Sequence, residues 1–299
     1  MGHNHDHQHH HGTSNKNALL QAFLLIAVFM LVEVVGGILT NSLALLSDAG
    51  HMLSDAAALG LSFFAIQFGV KKADASKTYG YKRFEILAAF INGLTLMILS
   101  LLIIWEAVKR FSSPPEIAGT GMLVISFLGL LVNAAAAFIL MRGDKKDNLN
   151  VRSAFLHVLG DLLGSAGAII AAFLILFFGW GAADPVASIF TAGLIAVSGW
   201  GVTKDSFHVL MEGVPPNIPI DAVKERLVKI DGVCGVYDLH VWSITSDFPA
   251  LSCHLAVREG SSGKQIIKLA NQLLREEFDL HHTTIQIDEE NQTSHDHCN

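Results

Sequence analysis

Six apolar runs constrain this chain more than any other feature. They lie at about residues 18–40, 42–69, 84–108, 119–141, 152–179 and 183–210, each near the roughly 20 residues that cross a hydrocarbon core. The composition agrees, with 51% hydrophobic residues, 16% charged residues and a mean hydropathy of +0.45 over 299 residues. The expectation is an α-helical membrane bundle of six transmembrane helices. The first run follows a polar leader without a small-residue cleavage site, so it reads as a retained span rather than a removed signal peptide.

Lys71, Lys72, Lys77, Lys82 and Arg83 fall between spans two and three, and Arg142, Lys145, Lys146 and Arg152 between four and five. The opposite connections carry Lys109 and Arg110, so the positive-inside rule puts both termini in the cytoplasm. Cys234, Cys253 and Cys298 all follow the last span, in a reducing compartment where no disulfide framework is expected. The net charge of −7 comes partly from an acidic C-terminal part, and nothing basic enough for nucleic acid is present.

The expected organisation is a disordered His-rich leader over 1–17, the membrane domain over 18–212, an α+β domain over 213–291 and a His- and Cys-containing tail over 292–299. Gly213 with Pro215, Pro216 and Pro219 marks the linker, and Pro185 after Asp184 marks the start of span six. Beyond the linker, "DAVKERLVKI" reads as a helix, "GVYDLHVWSI" and "ALSCHLAVRE" as two strands, "KQIIKLANQLLREEF" as a helix with Ile266, Leu269, Leu273 and Phe278 near one face, and "TTIQIDE" as a third strand. The order α-β-β-α-β predicts a helix-covered three-stranded sheet. In the leader, Asn4, Asp6 and Gln8 interrupt the histidines, which favours a native metal-capturing segment over an expression tag.

Inside the membrane, His51 and Asp55 sit four residues apart, about 40° around a helix and one turn along it. His157 and Asp161 repeat the order and spacing in span five. Each such group costs about 2.5–3.5 kcal/mol or more against lipid, so all four should turn inward. Two imidazoles and two carboxylates make an N2O2 set that suits tetrahedral Zn2+ best, with Co2+ and Ni2+ also plausible. The competing account is a His–Asp bond within each helix that only glues helices together. Asp48, three residues before His51, is a supporting group, either an acceptor that fixes the His51 ring or a charge on the exit path. Glu33, Asn92, Glu106 and Asn133 read as polar contacts between helices or at interfaces rather than ligands. His51 and His157 fall at unequal depths, which tilt or a longer fifth helix must reconcile.

With these residues placed, the chain resembles the cation diffusion facilitator family, notably its bacterial zinc, cobalt and cadmium efflux members and the related animal zinc transporters. The resemblance is carried by "NSLALLSDAGHMLSD", "YGYKRFEILAAFINGL", "HVLGD" and "DLHVW", in that order across the whole chain. It implies a homodimer in the bilayer with six spans per subunit, a cytoplasmic metallochaperone-like domain of ferredoxin-like α-β-β-α-β order, and exchange of divalent metal for protons. The implied transport site is His51, Asp55, His157 and Asp161, and its two histidines favour zinc, with Cd2+ and Co2+ within the family's range. The loop "KKADASKTYGY" has no histidine, so the site that some members carry there is not expected.

A second site is expected in the soluble domain. A five-residue loop from Thr245 to Pro249 would pair Ile244 with Ala250 and set His240 opposite His254. Asp288 at the end of the third strand could complete a metal site, and the resemblance adds His281. Such a site would bring two cytoplasmic domains together, with His295, His297 and Cys298 as extra donors. The plain alternative is a solvated sheet face. Cys253 alternates away from His254 and should pack in the core.

The functional expectation is a secondary active transporter, not an enzyme, in a bacterial cytoplasmic (inner) membrane, exporting Zn2+ against protons. The alternative is a metal sensor or regulatory metal-binding protein without transport. A membrane metalloenzyme is a weaker third, because neither HExxH nor repeated histidine boxes occur.

Overall fold

In the computed structural model the described residues are 12–53, 57, 73–141, 148–245 and 248–289, with side chains from residue 24 onward, those of 137, 139–161 and 289 excepted. The chain divides into two compact units, one holding residues 1–64 and 91–203, the other 65–90 and 204–299.

In the first unit, α1 (Gly12–Thr40) opens the chain. It begins inside the segment expected to be a disordered leader; Thr13, Ser14 and Asn15 are residue types that suit a helix start, and the helical run simply continues back into them. Asn41 ends it in the left-handed region at φ 57°, which Asn tolerates. The Ser42 N–H reaches the Gly37 carbonyl at 3.0 Å and the Asn41 N–H that of Ile38 at 3.3 Å, closing a Schellman turn. Ser42 then starts α2, helical over 43–53, by accepting the Leu45 N–H on its Oγ at 3.2 Å.

The remaining long helices are α3 (Arg83–Ser112), α4 (Gly119–Met141), α5 (Asn148–Phe178) and α6 (Ala183–Leu210). Pro114 and Pro115 lie in the break between α3 and α4. Among the described residues three stretches, Arg83–Ser112, Gly119–Ala136 and Ala183–Leu210, are long and apolar enough to cross a membrane, and Leu24–Thr40 and Leu162–Phe178 are shorter apolar helices. The second expected span lies mostly outside the described residues.

Packing in this unit relies on small residues. Ala44, Leu45, Met122, Ala168, Ala171, Ala172, Ala183 and Ala187 form one buried cluster, which lets backbones approach closely. The outer surface is the reverse of a soluble protein's: Ile38, Leu101, Trp105 and Val197 are each at least 64% exposed. Apolar exposure on this scale fits lipid as the solvent.

In the second unit, α7 (Ile220–Val228), β1 (Val233–Thr245), β2 (Phe248–Val257), α8 (Gly263–Phe278) and β3 (His282–Glu289) follow in chain order. The sheet order is β1-β2-β3, with β1 and β2 antiparallel and β2 and β3 parallel. A parallel pair needs a crossover, and α8 supplies it. Val223 and Leu227 of α7 and Ile266, Ala270 and Leu274 of α8 bury against Leu251, Cys253 and Leu255 of β2. The buried stripe of α8 steps by four residues, so Leu269 falls at its edge and is 45% exposed rather than facing the core.

The hairpin register differs from the expected one. Thr245 pairs with Phe248, so the loop is shorter than five residues, and His240 lies opposite Ser252 while His254 lies opposite Tyr237. The register also shifts between Tyr237 and His240, where Asp238 adopts φ 47°. An extra residue in one strand is a bulge, and Asp is among the few types that enter the left-handed region at modest cost.

Candidate metal centres

The first centre lies in the membrane unit. Asp48 and His51 sit one turn apart on α2, and Asp48 is 2% exposed. Its Oδ2 accepts a hydrogen bond from Ser165 Oγ of α5 at 3.0 Å, and that hydroxyl accepts from Asn133 Nδ2 of α4 at 3.2 Å. A Cβ at Gly164 would stand 3.1 Å from Asp48 Oδ1, so this glycine is what lets α5 approach the carboxylate. Ala44 and Leu45 cluster with Ala168, Ala171 and Ala172, while Asp48 meets 164 and 165. Rising numbers on α2 therefore run against falling numbers on α5.

The backbone of α5 carries His157 and Asp161, and α5 begins at Asn148, four residues before the expected span. The helix is thus longer than the expected span at its N-terminal end. The side chains of His157 and Asp161, and Asp55 altogether, lie outside the described residues. Of the expected polar contacts, Asn133 bonds to Ser165, Glu106 pairs with Arg110 at 3.3 Å and Lys109 at 3.7 Å, and Glu33 is buried beside Asp48.

Sequence reasoning took Asp184 only as a helix-start marker, yet it holds α2 in place. Asp184 is fully buried in the first turn of α6. Its Oδ1 accepts the Ser42 hydroxyl at 2.6 Å and the Ala44 N–H at 3.1 Å, and its Oδ2 accepts the Leu43 N–H at 2.9 Å. Arg110 Nη1 of α3 stands 3.7 Å from Oδ2 and donates to the Asn41 carbonyl at 2.7 Å. One carboxylate thus satisfies two orphan amides of α2 and suits the positive end of its dipole. The available signal was "DP" at a helix start, which gives no hint of a partner 140 residues away.

The second centre lies on the partly exposed face of the sheet. His240 Nε2 and Asp238 Oδ1 are 2.8 Å apart, Asp238 Oδ2 and His254 Nε2 3.8 Å, and His254 Nδ1 and Asp288 Oδ2 2.9 Å. Gln286 Nε2 donates to Asp288 Oδ1 at 2.9 Å. His240, His254 and Asp288 are therefore brought into one chain by Asp238, which the sequence reading missed. His281 is not part of it: it pairs with Asp279 at 2.8 Å just before β3, whereas Asp288 is near the far end of that strand, about 23 Å away at 3.3 Å per residue. His295, His297, Cys298 and the leader histidines lie outside the described residues. Among the described residues no three His, Cys, Asp or Glu side chains converge to hold an ion on their own. Two hydrogen bonds, His240 to Asp238 and His254 to Asp288, and the 3.8 Å approach of Asp238 to His254 link the sheet cluster, a set of nitrogen and oxygen donors of the type that binds Zn2+. Cys253 is 1% exposed and packs in the core, and burial pushes its thiol up to about 12.

Residues 19–211 match the family model of the cation efflux transmembrane domain, and residues 215–290 that of the cation efflux protein cytoplasmic domain. The chain is 51% identical over 302 residues to a cadmium, cobalt and zinc/H(+)-K(+) antiporter of Bacillus velezensis, covering 100% of this chain and 95% of that protein. It is 42% identical over 291 residues to the zinc transporter ZitB of Escherichia coli, covering 96% of this chain and 93% of that protein. Among solved structures, the metal-bound C-terminal domain of a CzcD transporter is 26% identical, covers 24% of this chain and 99% of that one, and has a TM-score of 0.23.

Proposed function

The chain belongs to the cation efflux family, and on that premise we propose that it exports divalent metal cations, zinc foremost, in exchange for protons. The printed activities of its relatives, zinc transport and cadmium, cobalt and zinc antiport, agree with this reading. Six spans per subunit, a homodimer joined through the ferredoxin-like cytoplasmic domains, cytoplasmic termini and a bacterial inner membrane complete it.

The observation that carries the reading is the antiparallel contact of α2 with α5. Asp48 meets Ser165, so one helical turn further along α2, at His51, the facing level of α5 is that of Asp161. Both histidine–aspartate pairs then contribute to one core position, where His51, Asp55, His157 and Asp161 hold the metal as cargo. Asp48 supports them without ligating. Coordination needs neutral imidazole and ionised carboxylate, so metal entry displaces protons and protonation on the far side promotes release. An unperturbed imidazole near pKa 6.5 makes that exchange workable near neutrality. In the cytoplasmic domain His240, His254 and Asp288, with Asp238 between the imidazoles, form a regulatory zinc site.

Proteoliposomes test this directly. An imposed proton gradient should drive zinc flux, and Asp161→Ala should abolish it. Zinc binding with no gradient-driven flux would replace transport with the sensor reading, and substituting Na+ for K+ inside the vesicles shows whether K+ shares the exchange.

A further inference from the structure

The membrane unit holds a second pair of acidic groups that the proposed ligand set does not use. Glu33 on α1 is fully buried, and neither of its oxygens meets a hydrogen-bond donor among the described residues. The charged group facing it is the Asp48 carboxyl of α2. From α4, Gly129 lies so close that a Cβ there would stand 2.8 Å from Glu33 Oε1 and 3.1 Å from the Phe29 ring. Asn133 of α4 and Ser165 of α5 complete the surroundings through their hydrogen-bonded link to Asp48 Oδ2. Neither α4 nor α5 presents a described titratable side chain to the pair, and His51 is the next one along α2.

Two ionised carboxylates in contact offer only acceptors to each other and repel strongly where water is excluded. One shared proton removes the repulsion and turns the contact into a hydrogen bond, as in other paired carboxyl groups. The Ser165 hydroxyl already donates to Asp48, which marks Asp48 as the ionised partner and Glu33 as the acid. We infer that Glu33, hydrogen-bonded to Asp48, carries an exchanged proton at a site separate from the metal ligands. This rests on the antiport reading above. Only the Glu33 O–H bond changes: its proton passes to water on the cytoplasmic side and is replaced from water on the outer side. Release leaves a second negative charge one turn from His51, which favours cation entry, and reloading favours cation exit.

The test uses full-length wild type and Glu33→Gln in proteoliposomes, with zinc flux read against the imposed pH gradient and zinc affinity by calorimetry. A wild type whose flux ignores the gradient sinks the antiport reading itself. Where wild type responds, Glu33→Gln should bind zinc without the gain in affinity that wild type shows as Glu33 loses its proton, and its flux should respond to the gradient more weakly, through the metal ligands alone; a retained wild-type response overturns the inference. Infrared spectra of wild type and Asp48→Asn supply a second check. A carboxylic-acid C=O band at neutral pH, lost or shifted in Asp48→Asn, is expected, and absence of any such band in wild type overturns the inference equally.

Discussion

Asp184→Ala and Asp184→Asn should separate two ways in which a buried carboxylate can matter. The native group accepts three hydrogen bonds, from Ser42 Oγ, Leu43 N–H and Ala44 N–H, and faces Arg110 at 3.7 Å. Asparagine can place its one carbonyl oxygen at the Oδ1 position and keep Ser42 and Ala44. Its amide then points donor to donor at the Leu43 N–H and at Arg110. One charge-assisted bond and one ion pair are lost, about 2–3 kcal/mol when a hydrogen bond to a charged group counts for about 1.5–3. Arg110 keeps Glu106 and the Asn41 carbonyl, which limits the further cost. Alanine removes every acceptor, leaves two amides at the start of α2 bare and the Arg110 charge half-compensated, about 3–5 kcal/mol. Equilibrium unfolding in mixed micelles reads both numbers, and gradient-driven zinc flux should fall in the same order, because α2 carries His51. A loss under about 1 kcal/mol for Asp184→Ala, or equal losses for the two variants, would refute the capping argument.

Three further outcomes can be checked in the second unit. With its thiol pushed up to about 12 by burial, Cys253 should resist iodoacetamide at neutral pH while exposed Cys234 reacts, until denaturant opens the core; mass spectrometry of the labelled peptides decides it. Asp74 accepts bonds from the Ser76 hydroxyl and amide, the Lys77 amide and the Tyr81 hydroxyl, which hold its carboxyl down to about 2. Its folded value lies below its ordinary 3.8, so the ordering it gives the loop is full above that ordinary value and fades as pH falls through about 2. The Ser76 amide resonance should titrate at the lower value, and a midpoint near the ordinary one would contradict the hydrogen-bond account. Asp238→Asn keeps a residue that tolerates φ 47° and should leave the sheet intact while weakening zinc binding in an Asp161→Ala background; unchanged affinity removes Asp238 from that site.

The helices were legible because the bilayer demands long uninterrupted apolar runs, and α4 and α6 begin and end where those runs do. Their ends were less so. Asn41 and Glu212 stop α1 and α6 in left-handed turns without glycine at that position, and α5 starts among polar residues that hydropathy alone assigns to a loop. The inward turn of Asp48 was readable from the cost of a charge in lipid, whatever its partner. The partners were not readable: Ser165 and Asn133 on Asp48, and Asp184 across 140 residues, depend on how helices meet rather than on any local pattern.

The hairpin shows why two histidines can share a sheet face despite an error in register. The expected pairing of His240 with His254 and the observed pairing of His240 with Ser252 differ by two residues on β2. Side chains alternate with a period of two, so an even slip keeps His240 on the face that carries His254, and an odd slip would have turned it over. Distance is what changes: directly opposed residues have Cβ atoms about 4.5–5.5 Å apart, diagonal ones about 7–8 Å. Two imidazoles at the diagonal spacing need something between them, and the bulge supplies it by turning Asp238 so that its two oxygens reach His240 and His254. A strict alternation of strand residues would have put Asp238 on the His240 face with no reason to bridge. The carboxylate therefore joins this side-chain cluster through backbone geometry that strand periodicity does not encode.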